Sequence, residues 1–503
     1  MNTVTDALVA VITFIVNEIL SEPAFLVGLM ALVGLIALRK TAGEVISGTF
    51  KAILGFFILS AGASVVTTAL EPLGTLILEV TGAQGVVPTN EAIVALAQEN
   101  FGATTAWLMF LGFLASLVIA RLTSLRYVFL TGHHIFFMAT LLAVVLLTVG
   151  MTQWQTVLVG ALLLGTIMVV MPAFAHPWMK KITGGQPLAI GHFGTLGYIA
   201  AGAVGQLTKR SKSTEEMSLP KTFGFLREPM LATALAMVVI YLVFALIYLG
   251  QVGGATAFET LGGTDTGSYL MVAVMNGLQF GVGVAVILYG VRIILGEIVP
   301  AFAGIAERVV PGAVPALDCP VVFPFAPTAV MIGFLASFVG GLVSLGIIAL
   351  GLDAAWGLAL ILPGMVPHFF TGGAAGVFGN ATGGRLGAML GGFVNGVLIT
   401  FLPAFLLPVL GDLGFANTTF GDADFGWFGI VVGNIAQLPL GAAIAGLVVL
   451  ALALIAVAHV YQRKVVETGW TPGGAVEPGE EEAAAVDTGT GEAPQPTASA
   501  GNR

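Results

Sequence analysis

Apolar runs of the length that crosses a bilayer, nearly free of charge, recur along the whole chain and restrict its folding more than any other feature. Such runs lie at 23–38, 52–70, 104–120, 156–175, 231–249, 269–295, 328–350, 386–410 and 430–459, and all are too long for barrel strands. Only 9% of the residues are charged, against roughly 25% in soluble domains, which excludes a water-soluble fold. Adding a shorter run at 7–20 (spanning obliquely or lying in the interface) and the apolar stretch ending at Gly150, about eleven crossings are expected. The fold class is therefore an all-α polytopic membrane protein. Its 68 glycines allow helices to approach closely and segments to break.

Charge then orients the chain. Arg39 with Lys40, Arg121 with Arg126, Lys180 with Lys181, and Arg463 with Lys464 close spans, and Lys209, Arg210, Lys212, Lys221 and Arg227 mark the longest basic connection. Arg39 with Lys40, the basic connection and the C-terminus are expected in the cytoplasm, and the loop at 251–268, which has no basic residue, outside. Residues 71–102 are too polar for a span and are expected as short helices with a bend. A separate polar helix is expected at 296–308. Residues 1–466 form the membrane domain, with halves of similar texture at roughly 1–228 and 229–466; 467–503, rich in Gly, Pro, Glu, Thr and Ala, is expected to be a disordered cytoplasmic tail. Much of the acid behind the net charge of −9 lies in that tail, so the charge points to no partner, and no nucleic acid is expected. The N-terminus has no basic flank before its first apolar run and does not resemble a cleaved signal.

Four broken segments interrupt the spans. At 309–327 one acid, Asp318, stands in an apolar run broken by Pro311, Pro315, Pro320, Pro324 and Pro327. An unpaired charge in hydrocarbon costs at least ~2.5 kcal/mol, and the carbonyls orphaned by proline are tolerated at depth only beside protein or a wet cavity. A lined binding cavity satisfies both conditions; so does an extramembranous turn with a solvated Asp. The segments around Gly132-His133-His134 and Gly191-His192 share that logic, and 187–198 and 356–382 suit re-entrant hairpins. Paired broken segments in two halves point to a transporter midplane site. The carboxylate accepts hydroxyl protons and imidazoles donate or accept, which suits a small polyhydroxylated or enediol ligand. Each histidine alone could equally be a satisfied buried group. Phe136, Phe137 and Phe193 are helix packing by default; Phe137 and Phe193, which adjoin the two Gly-His motifs, are equally candidates for pocket walls.

No histidine pair has i,i+4 spacing, so neither a metal nor another cofactor is expected. Cys319 is the only cysteine, which excludes an intrachain disulfide, and its apolar neighbours argue for an inert thiol.

From 23 to 463 the chain resembles the ascorbate-specific permease, or enzyme IIC, family of the bacterial phosphotransferase system. The resemblance is carried by L-R-K at 38–40, L-T-G-H at 130–133, I-G-H at 190–192, R-V-V-P-G-A-V-P-A-L-D-C at 308–319 and F-A-P at 325–327. It implies a homodimer in the bacterial inner membrane, with a dimerising scaffold and a mobile core that moves in an elevator-like way. It also implies that a separate IIB protein, fed by IIA, phosphorylates the arriving substrate, so the phosphoryl-transfer residue lies on a partner chain. The substrate contacts it implies are Asn90, Glu91, His133, His134, Phe137, His192, Phe193 and Asp318. The family's pattern has glutamine where Phe137 and Phe193 stand, and Thr-Tyr where Asn90-Glu91 stands. The expected substrate is thus ascorbate or a related sugar acid or polyol. A proton-coupled transporter with Asp318 or Glu91 as carrier, and a membrane-embedded enzyme using the His/Asp set, are the competing readings.

Overall fold

The computed structural model describes residues 23–208, 211–217 and 229–473. The expected run at 7–20, most of the basic connection and the distal tail lie outside them. Among the described residues, eight helices are long and apolar enough to cross a membrane, against the eleven or so crossings expected; Val27–Ala37, Gly132–Thr148 and Ala423–Ala436 are shorter apolar helices.

Helices α1 (Pro23–Ala37) and α2 (Ala42–Thr81) open the described chain. A capping box of Thr41 and Glu44 starts α2, and Gly82, at φ 73°, ends it in the left-handed conformation a C-terminal glycine permits. Residues 71–102 do break, at 82–89, but the expected short helices are corrected: they are the ends of two long ones, and α2 continues through Pro72 to Thr81. Glu71, Thr75 and Glu79 share one exposed face, while Leu73, Leu76 and Ile77 are buried on another. Spacing, rather than overall polarity, decides helix here.

The polypeptide then repeats one order of elements. Strand β1 (Gly85–Pro88), helix α3 (Asn90–Leu122), strand β2 (Tyr127–Phe129), half-length α4 (Gly132–Thr148), α5 (Gln153–Ile182), strand β3 (Ala189–Ile190) and short α6 (Thr195–Leu207) make the first copy. Between the copies lie α7 (Pro229–Val252), α8 (Gly254–Leu261) and α9 (Thr266–Val309). The second copy has β4 (Val314–Leu317), the 3-10 turn Cys319–Phe325, α10 (Pro327–Ile347), β5 (Leu360–Ile361), α12 (Met365–Leu406), which Gly384 divides into two helices in the place of α4 and α5, β6 (Thr418–Thr419) and α13 (Ala423–Ala436), with a single turn, α11 (Asp353–Trp356), before β5. Helix α14 (Leu440–Tyr461) closes the bundle.

The strands form two parallel three-stranded sheets, β5-β1-β6 and β2-β4-β3. Each central strand comes from one copy and both of its neighbours from the other. Extended backbone inside a membrane protein must find partners away from lipid, and this exchange supplies them while locking the copies together. Helices α1, α2, α7 and α9 pack mainly on one another, and the sheets, α10 and α12 belong to a second group.

Five other expectations change. The loop at 251–268 contains α8, and 296–308 is the end of one 44-residue helix, α9, that continues through Pro300. The run at 430–459 is two helices, because Pro439 cannot donate to the preceding turn and caps α14 instead. The glycine-rich segment at 356–382 is β5 followed by helix up to Gly384, whose φ of 63° and ψ of −145° break α12. Those glycines serve packing: a Cβ on Gly333 of α10 would stand 2.3 Å from the carbonyl oxygen of Gly372. Finally, the first tail residues are ordered, with Trp470 edge-on to Trp178 at 5.8 Å and Lys181 donating to the Pro472 carbonyl.

Candidate functional site

The carboxyl ends of five of the six strands deliver the chemistry to one place. Strand β4 leads directly into Asp318, which caps the 3-10 turn by accepting the Cys319 N–H at 2.7 Å. Strand β2 leads through Thr131 into His133 and His134 on the first turn of α4, and β3 leads into Gly191 and His192. A Cβ on Gly191 would lie 2.5 Å from the Ala316 carbonyl oxygen, so glycine is what lets β3 lie close against β4 here. From the other sheet, β1 ends at Asn90 and Glu91, and β6 at Asp422.

The Asp318 carboxylate is straddled by two rings. His133 Nε2 lies 3.4 Å from one oxygen and His192 Nε2 3.8 Å from the other. Asp318 and His133 remain 39% and 32% exposed, and both open into a cavity of about 390 Å³ that is also lined by Leu130, Thr131, Leu317 and Pro320. That volume lies in the range of small-molecule pockets. His192 and His134 are buried behind them, with ring centroids 3.8 Å apart.

Backbone hydrogen bonds fix the tautomers of these two rings. His134 Nδ1 accepts the Phe193 N–H at 3.3 Å, and His192 Nδ1 accepts the Gly194 N–H at 2.9 Å, with the Tyr198 hydroxyl 2.8 Å away. A neutral ring that accepts at Nδ1 carries its proton on Nε2. Both Nε2–H groups therefore act as donors aimed toward carboxylates, His192 toward Asp318 and His134 toward Asp422 at 4.0 Å. Three overlapping sets here, His133-His134-Asp318, His134-His192-Asp422 and His192-Asp318-Cys319, bring potential ligand atoms within 4.8 Å of one another. Spacing along the chain had given no sign of them. With Nδ1 committed and Nε2 protonated, two of the three histidines are built to donate hydrogen bonds rather than to ligate a cation.

A buried support holds the rings. Asn90 donates to Asp422 at 2.9 Å and accepts the Gly421 N–H at 2.7 Å, tying α3 to β6. Asp424 accepts the N–H groups of Thr195 and Leu196 at the start of α6 and the Trp427 indole N–H. The aromatics close the wall: Phe193 stacks on Phe129 at 4.8 Å, Phe425 lies parallel to His134 at 5.7 Å, and Phe137 meets His133 edge-on. Glu91 is buried within electrostatic reach of Asp422, and its Oε2 has no hydrogen-bond partner.

This assembly of strand ends, half-length helices and a sheltered acid flanked by imidazoles coincides with a sequence match. Residues 18–424 match the family described as PTS system sugar-specific permease component. The chain belongs to this permease family. Among curated proteins it is similar to the ascorbate-specific PTS system EIIC component of Mycoplasma pneumoniae, 26% identical over 446 residues that cover 79% of this chain and 67% of that protein.

In this permease all eight residues singled out from the sequence fall into one connected cluster, but at two depths. His133 and Asp318 line the cavity; Asn90, Glu91, His134, Phe137, His192 and Phe193 are buried behind it. Asp422, Asp424, Phe425 and Tyr198 were missed. A signal existed in F-G-D-A-D-F-G at 420–426, where acids sit between glycines beside an apolar run, the same texture as I-G-H-F-G. Cys319 is buried, as its apolar neighbours suggested.

Proposed function

We propose that this permease component translocates ascorbate or a related sugar acid or polyol across a bacterial inner membrane, and that a separate IIB protein phosphorylates the substrate as it leaves. The observation that carries this reading is the Asp318 carboxylate between His133 and His192 at the mouth of the cavity. A hydroxyl can donate to Asp318 while a neighbouring oxygen accepts from an imidazole Nε2–H, the pairing a polyhydroxylated ring offers. The similarity to an ascorbate-specific EIIC protein supports the substrate class. The separation of α1, α2, α7 and α9 from the sheet-bearing group supports a scaffold and a moving core. In this reading the protein is a homodimer with its C-terminus in the cytoplasm, by the lysines and arginines that close its spans.

A proton-coupled transporter that does without phosphorylation is the second reading, favoured by one observation: the unpartnered carboxyl oxygen of buried Glu91 next to Asp422. Uptake into membrane vesicles separates the two. With labelled ascorbate or a pentitol outside, phosphorylated product accumulating only when phosphorylated IIB is inside supports the first. Unmodified substrate accumulating under a pH gradient alone refutes it.

A further inference from the structure

A second cavity, of about 680 Å³, opens at the other end of the β2-β4-β3 sheet. Tyr127 and Val314, at the starts of β2 and β4, line it, whereas the residues after those strands line the Asp318 cavity. At ~3.3 Å per residue, Val314 and Asp318 are about 13 Å apart. Its walls hold three cations from three different elements: Arg126 in the turn before β2, Lys180 in the last turn of α5, and Arg463 just after α14. Among the described residues none of the three has a carboxylate within 4.0 Å, although ion pairs form elsewhere on the surface. One acid, the exposed Glu467, lines the same cavity.

The neutral polar groups of the wall satisfy one another: Tyr127 donates to Gln462 at 2.8 Å, and the Ser124 N–H donates to His459 Nδ1. His176 is the exception, 5% exposed with Nδ1 lacking a partner. A helix C-terminus explains a cation at Lys180, but Arg126 lies outside any helix. Exposed Arg126 and Arg463 and half-buried Lys180 set three positive charges against one acid, so the space keeps a net positive charge that a bound anion would offset. Two guanidinium groups and an ammonium lining one cavity supply the charged donors that phosphate oxygens accept.

We propose that this cavity is a binding site for a phosphate-bearing anion, either a free phosphate ester or the headgroup of an anionic lipid. It stands on residues that take no part in the Asp318 site and holds whichever transport reading is correct.

Full-length protein, purified in detergent and stripped of lipid, is titrated with radiolabelled inorganic phosphate and competed with glycerol 3-phosphate. Saturable binding is expected, weakened about tenfold by each of Arg126→Gln, Lys180→Gln and Arg463→Gln, as loss of a charge-assisted contact implies. Lys464→Gln, which removes the charge next to Arg463 in the chain but none from the cavity lining, should leave it unchanged. If phosphate does not bind, a melting temperature higher in phosphatidylglycerol than in phosphatidylcholine nanodiscs, with the difference lost in the three variants and kept in Lys464→Gln, assigns the site to a lipid headgroup. Neither effect, or an equal effect of Lys464→Gln, overturns the proposal.

Discussion

Replacing Asp318 with asparagine tests the centre of the site with little change of shape. The amide oxygen can still accept the Cys319 N–H, now made at 2.7 Å, so the cap of the 3-10 turn survives. What changes is the face toward the rings. His133 and His192 each present Nε2 to one carboxylate oxygen, at 3.4 and 3.8 Å. Asparagine turns an NH₂ toward one of them, and His192 Nε2 already carries a proton because its Nδ1 accepts the Gly194 N–H. The oxygen that accepts the Cys319 N–H is also the one that faces His192, so the orientation that keeps the cap turns the NH₂ toward His133 and the charge is lost; the opposite orientation sets the NH₂ against both the Cys319 N–H and the His192 Nε2–H. A hydrogen bond to a charged group contributes about 1.5–3 kcal/mol, so substrate affinity should fall about 10- to 150-fold. Stability should hardly move, since the group is 39% exposed and partly screened ion pairs contribute about 1 kcal/mol or less. Equilibrium binding of labelled substrate to purified protein, with a thermal melt of the same sample, gives both quantities. Affinity within about twofold of wild type, less than half a kcal/mol, would refute the assignment of Asp318 as the substrate anchor.

Two further substitutions probe the frame. Asp424→Ala strips the acceptor from the Thr195 and Leu196 N–H groups and the Trp427 indole; at ~1–3 kcal/mol for each buried donor left unsatisfied, the melting temperature should drop and uptake fail with it, whereas a wild-type melt would mean water replaces the carboxylate. Gly333→Ala puts a Cβ 2.3 Å from the Gly372 carbonyl oxygen, so α10 and α12 must separate; a loss of about 1–3 kcal/mol is expected, read as a lower melting temperature, and an unchanged melt would show that the helices part without cost.

Much of the site was legible because its logic is local. Glycine or proline beside a lone acid or imidazole in an apolar run identifies a place where broken backbone and a polar side chain must shelter together, and this selected Asp318, His133 and His192. The support was not legible for the opposite reason. Asn90 and Asp422 are 332 positions apart, and nothing in either segment specifies the other. The strands escaped notice because they are two to four residues long, too short for period-two alternation to register. The continuation of α2 past Pro72 is legible in spacing and not in average polarity, because the i,i+4 spacing of Glu71, Thr75 and Glu79 puts the acids on one exposed face.

The sequence by itself determined that this protein lives in a bilayer, that its spans are interrupted by glycine and proline, and that a few polar groups must be sheltered at those breaks. Scarcity of charge and the length of apolar runs are properties of single segments and can be read one segment at a time. Only the tertiary structure decided that each sheet takes its centre from one copy and its edges from the other, and that six acids and imidazoles from five strand ends meet in one cluster. It also decided which nitrogen of His134 and His192 carries the proton. Those outcomes depend on which backbone N–H arrives at which side chain, and that is set by packing between segments far apart in the chain.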